Sequence, residues 1–161
     1  MTAGTDPAAE PADRAAVAEL LGREPRGPHR VVVRDPTGRP VVIRNHPLLD
    51  DGTPMPTLYW LLDRDLNRRI GRLEADGGVK QAEADVDPDA LAAAHERYRA
   101  EREAEIPEDW TGPRPFGGVG GTRRGVKCLH THYAWYLAGG DDPVGAWVAE
   151  RLEAGADSEP R

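Results

Sequence analysis

The chain has 161 residues, a length that suits one domain with loose ends. Hydrophobic residues make up 39% and aromatics 6%, so the core is thin, and 18 glycines with 15 prolines signal many turns. A net charge of -7 argues against a general nucleic-acid or membrane-surface binder, because phosphate backbones and anionic lipids attract basic patches; a locally basic loop can still hold a small anion.

The opening "MTAGTDPAAEPADR" and the closing "AGADSEPR" are polar and aperiodic, so residues 1–12 and 154–161 are expected to be disordered tails around one α+β domain over 13–153. Asp13 is the expected cap of a helix through Leu21, which Gly22 ends. "HRVVVR" and "RPVVIRN" are β-branched runs joined by the tight-turn sequence "DPTG" and read as a hairpin. "LLDDGTPMPT" is an irregular loop, followed by "TLYWLL" as a short buried strand. Asp63 or Asp65 caps the next helix, where Leu66, Ile70 and Leu73 share a face and Gly77 with Gly78 forms the stop.

"VKQAEADV" reads as a modest strand. Asp87 and Pro88 then open a charged helix with Leu91, His95, Tyr98 and Arg102 in one stripe and His95 at its surface or boundary. Pro107 stops this helix, and a Pro/Gly loop from 107 to 124 follows, long enough to suggest a function. A helix is expected over Val126 to Ala138, and a last one begins at Asp142 and Pro143. The fold class that results is α+β: a small sheet with an N-terminal β-hairpin, packed by several helices.

The chemistry concentrates in "GGVGGTRRGVKCLHTH". Glycines before a helix let backbone N–H groups turn toward a ligand, and Arg123, Arg124 and Lys127 add charge suited to an anion. Thr122, Asp51 and Thr53 join them as candidate ligand contacts. The stretch matches neither the phosphate-loop nor the dinucleotide pattern, and a lid with solvated arginines is the alternative. Cys128 is the only cysteine, so it forms no internal disulfide and is a buried thiol, a metal ligand or a reactive group.

On the expected helix Cys128 and His132 share a face, while His130 points elsewhere. A thiol beside an imidazole in a helix's first turn suits nucleophilic catalysis, with Cys128, His132 and His130 as catalytic candidates for a thiol-dependent hydrolase or transferase. The same pair suits a divalent metal, with Asp35 and Asp63, or His29 and His46, completing the set. Cys128 can equally fill the core beside Leu129, Tyr133, Tyr136 and Leu137, and Trp135, Tyr136 and Trp147 read as core. Asp50 and Asp51 before Gly52 read as solvated turn-formers.

"GREPRGPHRVVVR", "PLLDDGTPMPTLYWLL", "RLEADGGV" and "GVGGTRRGVKCLHTHYAWYLAGGDDPVGAWV" together resemble an uncharacterised bacterial family, domain of unknown function 501, across nearly all of Leu21 to Leu152. The resemblance implies no activity, substrate or cofactor. It draws attention to Asp51, Gly52, Thr53, Pro54, Pro56, Thr57, Lys127, Cys128 and His130 through "DGTP-x-PT-x-YWL" and "VKCLH". In that family the hairpin turn commonly reads Cys-Pro-Cys-Gly and the later strand ends in Thr-Cys-Pro, which with the helix cysteine looks like a metal cluster. This chain has Asp35, Thr37 and Asp63 at those places, which removes soft ligands and argues against a structural zinc.

The sequence therefore points to a cytoplasmic bacterial protein without a membrane span. Its expected pocket lies where the "DGTPMPT" loop meets the Gly/Arg loop and the "VKCLHTH" helix, and takes an anionic small molecule. A metal-binding protein and a non-catalytic interaction module with an unidentified protein partner are the alternatives.

Overall fold

The computed structural model describes residues 11–158. Helix α1 (Pro11–Leu21) begins two residues before the expected cap. Asp13 therefore sits in its first turn, where its carboxylate takes the Arg34 guanidinium at 2.7 and 2.9 Å and ties the helix to the hairpin. Strands β1 (His29–Arg34) and β2 (Pro40–Asn45) pair antiparallel, with Val31 opposite Ile43 and Val33 opposite Val42. Strand β3 (Tyr59–Leu61) adds to the other edge of β2, giving the order β1-β2-β3. The "DPTG" turn closes on Asp35, whose Oδ1 accepts from Thr37 N at 2.8 Å, Thr37 Oγ1 at 2.6 Å and Arg39 N at 3.0 Å.

Helix α2 (Arg64–Ala75) starts where expected, because the Asp63 carboxylate accepts from Leu66 N at 2.9 Å. "VKQAEADV" is not a strand: residues Gly78–Asp85 form helix α3. Lys, Gln, Ala and Glu are good helix formers, and the two small buried residues, Gly78 and Ala82, ask only for a narrow contact, so propensity outweighs the two flanking valines. Asp87 caps α4 (Pro88–Glu103) through Ala90 N at 2.9 Å. Its expected stripe of Leu91, His95, Tyr98 and Arg102 is the buried one, and His95 lies inside the core rather than at the surface. Helices α5 (Leu129–Leu137) and α6 (Pro143–Ser158) complete an α+β fold, and α6 continues past residue 153. The remainder of the expected tails lies outside the described residues.

The residues of β2 serve two cores. Val42 joins the main cluster with Leu58, just before β3, and with Ile70, Tyr98, Leu129, Trp135 and Val148 from the helices, while Ile43 packs with Val17 and Leu62 under α1. Gly145 lets α6 approach α5, since a Cβ there would stand 2.3 Å from Tyr136 Cβ and 2.8 Å from the His132 carbonyl. Trp135 and Trp147 are core as expected, whereas Tyr136 is 37% exposed.

Two buried polar side chains fasten loops to this frame. The Tyr98 hydroxyl accepts from Leu58 N at 2.6 Å, and burial pushes its pKa up to about 12, so it stays a neutral phenol. Arg102, fully buried, donates to the carbonyls of Pro56 at 3.1 Å and Gly117 at 2.5 Å. It thereby joins the "DGTPMPT" loop to the glycine loop through α4.

Candidate functional site

The expected helix over Val126 to Ala138 starts three residues late, and the delay rearranges the motif. Cys128 is extended (φ -152°, ψ 128°) and precedes α5, whose first amide, Leu129 N, donates to Glu74 Oε2 at 3.0 Å. A carboxylate from the end of α2 thus supplies the cap that the local sequence lacks. Off the helix, Cys128 no longer shares a face with His132. Its sulfur lies 3.5 Å from His130 Nδ1 instead.

His130 Nδ1 also lies 3.1 Å from Glu74 Oε1, and its Nε2–H donates to the Asn67 carbonyl at 3.1 Å. A carbonyl only accepts, so this contact settles which ring nitrogen carries the proton in the neutral imidazole. Glu74, Cys128 and His130 bring one oxygen, one sulfur and one nitrogen within 4.8 Å of one another, all half-buried. The Cys128 contact holds the His130 imidazole above its usual pKa, ahead of the lowering effect of burial.

His132 belongs to a different environment. It is fully buried, and its Nδ1 donates to Asp142 Oδ2 at 2.7 Å, while Asp142 Oδ1 accepts from Val144 N at 3.0 Å at the start of α6. The pair clamps α5 to α6. The His95 ring sits 5.9 Å from it, edge-on. His95 in turn organises the glycine loop: its Nε2–H donates to Gly125 O at 2.9 Å and its Nδ1 accepts from Val119 N at 3.1 Å. Burial pushes the His95 pKa below the usual imidazole range.

The glycine loop is therefore a packed element. Gly120 and Gly121 adopt φ of 68° and 78°, which only glycine reaches without strain, and shape a short 3-10 turn at Val119–Gly121. Gly118 N donates to Thr122 O, Gly121 N to Gly118 O, and Val126 N to Glu83 Oε1. With Val119 N donating to His95 Nδ1 and Thr122 N to Val119 O, the amides of Gly118, Val119, Gly121 and Thr122 are engaged within the protein. Arg123 stacks on the exposed Phe116 ring at 4.3 Å, the Thr122 hydroxyl donates to Arg124 O at 2.8 Å, and none of these three side chains lines the cleft described next.

That cleft, about 610 Å³, runs between the end of α1, strand β3, the start of α2 and the segment from Gly120 to Thr131. Leu20, Leu21, Trp60 and Leu61 supply apolar wall, and Arg23, Arg64 and Lys127 line it with positive charge. Its lining contains no carboxylate. Cys128 and His130 face it, and Thr57 and Tyr59 connect it to the "DGTPMPT" loop. The rest of that loop turns elsewhere: Asp51 accepts from Thr53 N at 2.9 Å and borders a second cleft with His46 and Trp110.

The expected metal ligands separate in the same way. Asp35 holds the hairpin turn, Asp63 caps α2, and His132 is committed to Asp142. His29 Nδ1 contacts Gly27 O and His46 Nδ1 contacts Leu48 O and Leu48 N. Among the described residues the one metal-competent group is Glu74, Cys128 and His130. Glu74, Arg23 and Arg64 were not singled out from the sequence. Only the stretch "RLEADGGV" carried a signal for Glu74, through its likeness to the family, because no spacing rule connects a carboxylate to a cysteine 54 positions later.

No helix among the described residues is long and apolar enough to cross a membrane. No curated protein and no solved structure matches the chain. The family described as "Protein of unknown function (DUF501)" matches residues 31–150, from within β1 to within α6, which takes in all of the α5 motif and leaves out the cleft residues Leu20, Leu21 and Arg23. The chain belongs to that family.

Proposed function

We propose that the protein binds a small anionic molecule with an apolar body in the cleft between α1, β3 and the start of α5. The observation that carries this reading is the lining: three cations, no carboxylate, and an apolar wall including Trp60, itself 40% exposed. Charge selects an anion, and the apolar surface selects one with a hydrophobic group attached. A cytoplasmic setting, where a lone thiol stays reduced, suits such a site.

The cation set differs from the one expected. Lys127 remains, while Arg23 and Arg64 take the places first given to Arg123 and Arg124. Calorimetric titration with phenyl phosphate tests the reading, with phenol and inorganic phosphate as the uncharged and the purely charged controls. Phenyl phosphate is expected to bind more tightly than either. Arg64→Ala and Lys127→Ala should each weaken it about tenfold, the scale of a hydrogen bond to a charged group. Phenol binding as tightly as phenyl phosphate overturns the reading.

A further inference from the structure

The geometry points to a divalent metal site of the zinc class, formed by Glu74 Oε1, Cys128 Sγ and His130 Nδ1, with its fourth position open to the cleft. This site stands independently of the anion reading.

The outward atoms of two of the three residues are already engaged. Glu74 Oε2 accepts from Leu129 N, and His130 Nε2–H donates to the Asn67 carbonyl. What remains is Oε1 and Nδ1 at 3.1 Å and Nδ1 and Sγ at 3.5 Å. In the neutral imidazole fixed by Asn67, Nδ1 carries a lone pair, so two acceptor atoms face each other beside a sulfur. A single proton on Nδ1 serves one neighbour well. One metal ion serves all three.

The spacings also fit. Tetrahedral zinc with bonds of about 2.0 Å to oxygen, 2.05 Å to nitrogen and 2.3 Å to sulfur has edges of roughly 3.3 Å between oxygen and nitrogen and 3.6 Å between nitrogen and sulfur. Those two pairs of ligand atoms are within a few tenths of an ångström of those edges, and all three atoms lie within 4.8 Å of one another, before any metal draws them in. The Asn67 contact matches the usual outer partner of a metal-bound histidine, which donates its second N–H to a carbonyl. Charge balances too: a divalent cation meets one carboxylate, one thiolate and a neutral ring, and the thiol proton leaves to solvent on binding.

Mixed oxygen, nitrogen and sulfur ligands favour zinc over the oxygen-seeking calcium and magnesium. Three protein ligands leave a position for an outside group, the pattern of a reactive rather than a structural zinc. Cys128 and His130 both line the cleft, so that position faces the cleft. Cys128 then acts as a ligand, not as a free nucleophile.

The test uses the full chain, stripped with chelator and titrated with Co²⁺. The expected result is a thiolate-to-cobalt charge-transfer band with the intense visible bands of tetrahedral cobalt, saturating at one equivalent and displaced by Zn²⁺. Cys128→Ser should abolish the charge-transfer band. Glu74→Gln, which keeps an oxygen for the Leu129 cap, and His130→Gln should each lower Zn²⁺ affinity by more than the ~10–100-fold typical of losing an outer partner. Asp35→Ala and Asp63→Ala should leave both the bands and the affinity unchanged. A folded protein, judged by helical circular dichroism, that shows no charge-transfer band overturns the site, as does a band unaltered in both Glu74→Gln and His130→Gln. Phenyl phosphate added to the cobalt protein should shift the visible bands; unmoved bands with phenyl phosphate bound by calorimetry overturn the open fourth position. Intact cobalt bands with no phenyl phosphate binding overturn the anion reading and leave the metal site standing.

Discussion

His130 and His132 stand two residues apart on one nine-residue helix and have opposite settings. His132 is fully enclosed, donates to a buried carboxylate, and that carboxylate in turn holds the start of α6. His130 is half-buried, hands its Nε2–H to a backbone carbonyl, and turns Nδ1 toward a sulfur and a carboxylate beside a cationic cleft. Successive positions on a helix differ by about 100°, so a two-residue step points the rings in widely different directions. The difference teaches that a histidine with a buried partner serves the fold, whereas one facing unshared lone pairs at a cleft wall is available for chemistry.

Removing Asp142 should produce the largest effect. Asp142→Ala leaves His132 without an acceptor inside the core and uncaps α6, and should cost about 3 kcal/mol in urea unfolding. Glu74→Gln, by contrast, should cost less than about 1 kcal/mol, since its contact with His130 is partly open to water and the Leu129 cap persists. Equal losses from the two substitutions would erase the distinction between the clamp and the cleft cluster.

Asp63→Ala sharpens the same contrast for the carboxylates. Losing the cap of α2 should lower stability by about 1 kcal/mol, with phenyl phosphate binding unchanged. A protein that loses binding along with stability would place Asp63 in the site.

The smallest expected effect is a pH slope. Burial lowers the His95 pKa, the Gly125 contact partly opposes this, and the nearby His132 adds to the lowering. Below the unfolded imidazole pKa of about 6.5 the unfolded chain takes up a proton that the native state refuses, so the stabilising contribution is complete above that value and falls as pH drops toward the folded pKa. His130, raised by Cys128, contributes with the opposite sign. Melting temperatures of the wild type and His95→Gln between pH 7.5 and 5.5 should separate the two: the variant loses less on acidification. Parallel curves would remove His95 as the source.

Much of the fold was legible because its signals are local. The "DPTG" turn, the Asp63 and Asp87 caps and the buried stripe of Leu91, His95, Tyr98 and Arg102 all depend on residues within a few positions of one another. The misreading of Gly78–Asp85 has a local cause as well, since two valines at the ends of a short polar run suggest a strand while its interior favours helix. The site was less legible. Lys127, Cys128 and His130 were chosen and meet at the cleft, but the face assigned to Cys128 depended on a helix start that Glu74, far away in the chain, sets elsewhere.

The sequence by itself determined an α+β chain with an N-terminal hairpin and the one stretch where a thiol, imidazoles and cations gather. Periodicity, caps and turn residues act over a few positions and can be read directly. Tertiary structure alone decided which histidine Cys128 meets, that Glu74 joins them, that several amides of the glycine loop bond within the protein, and that Arg23 and Arg64 join Lys127 in the cleft's charge. Those outcomes come from contacts between segments remote in the chain, where burial and the need to satisfy polar groups choose the partner and no local pattern records the choice.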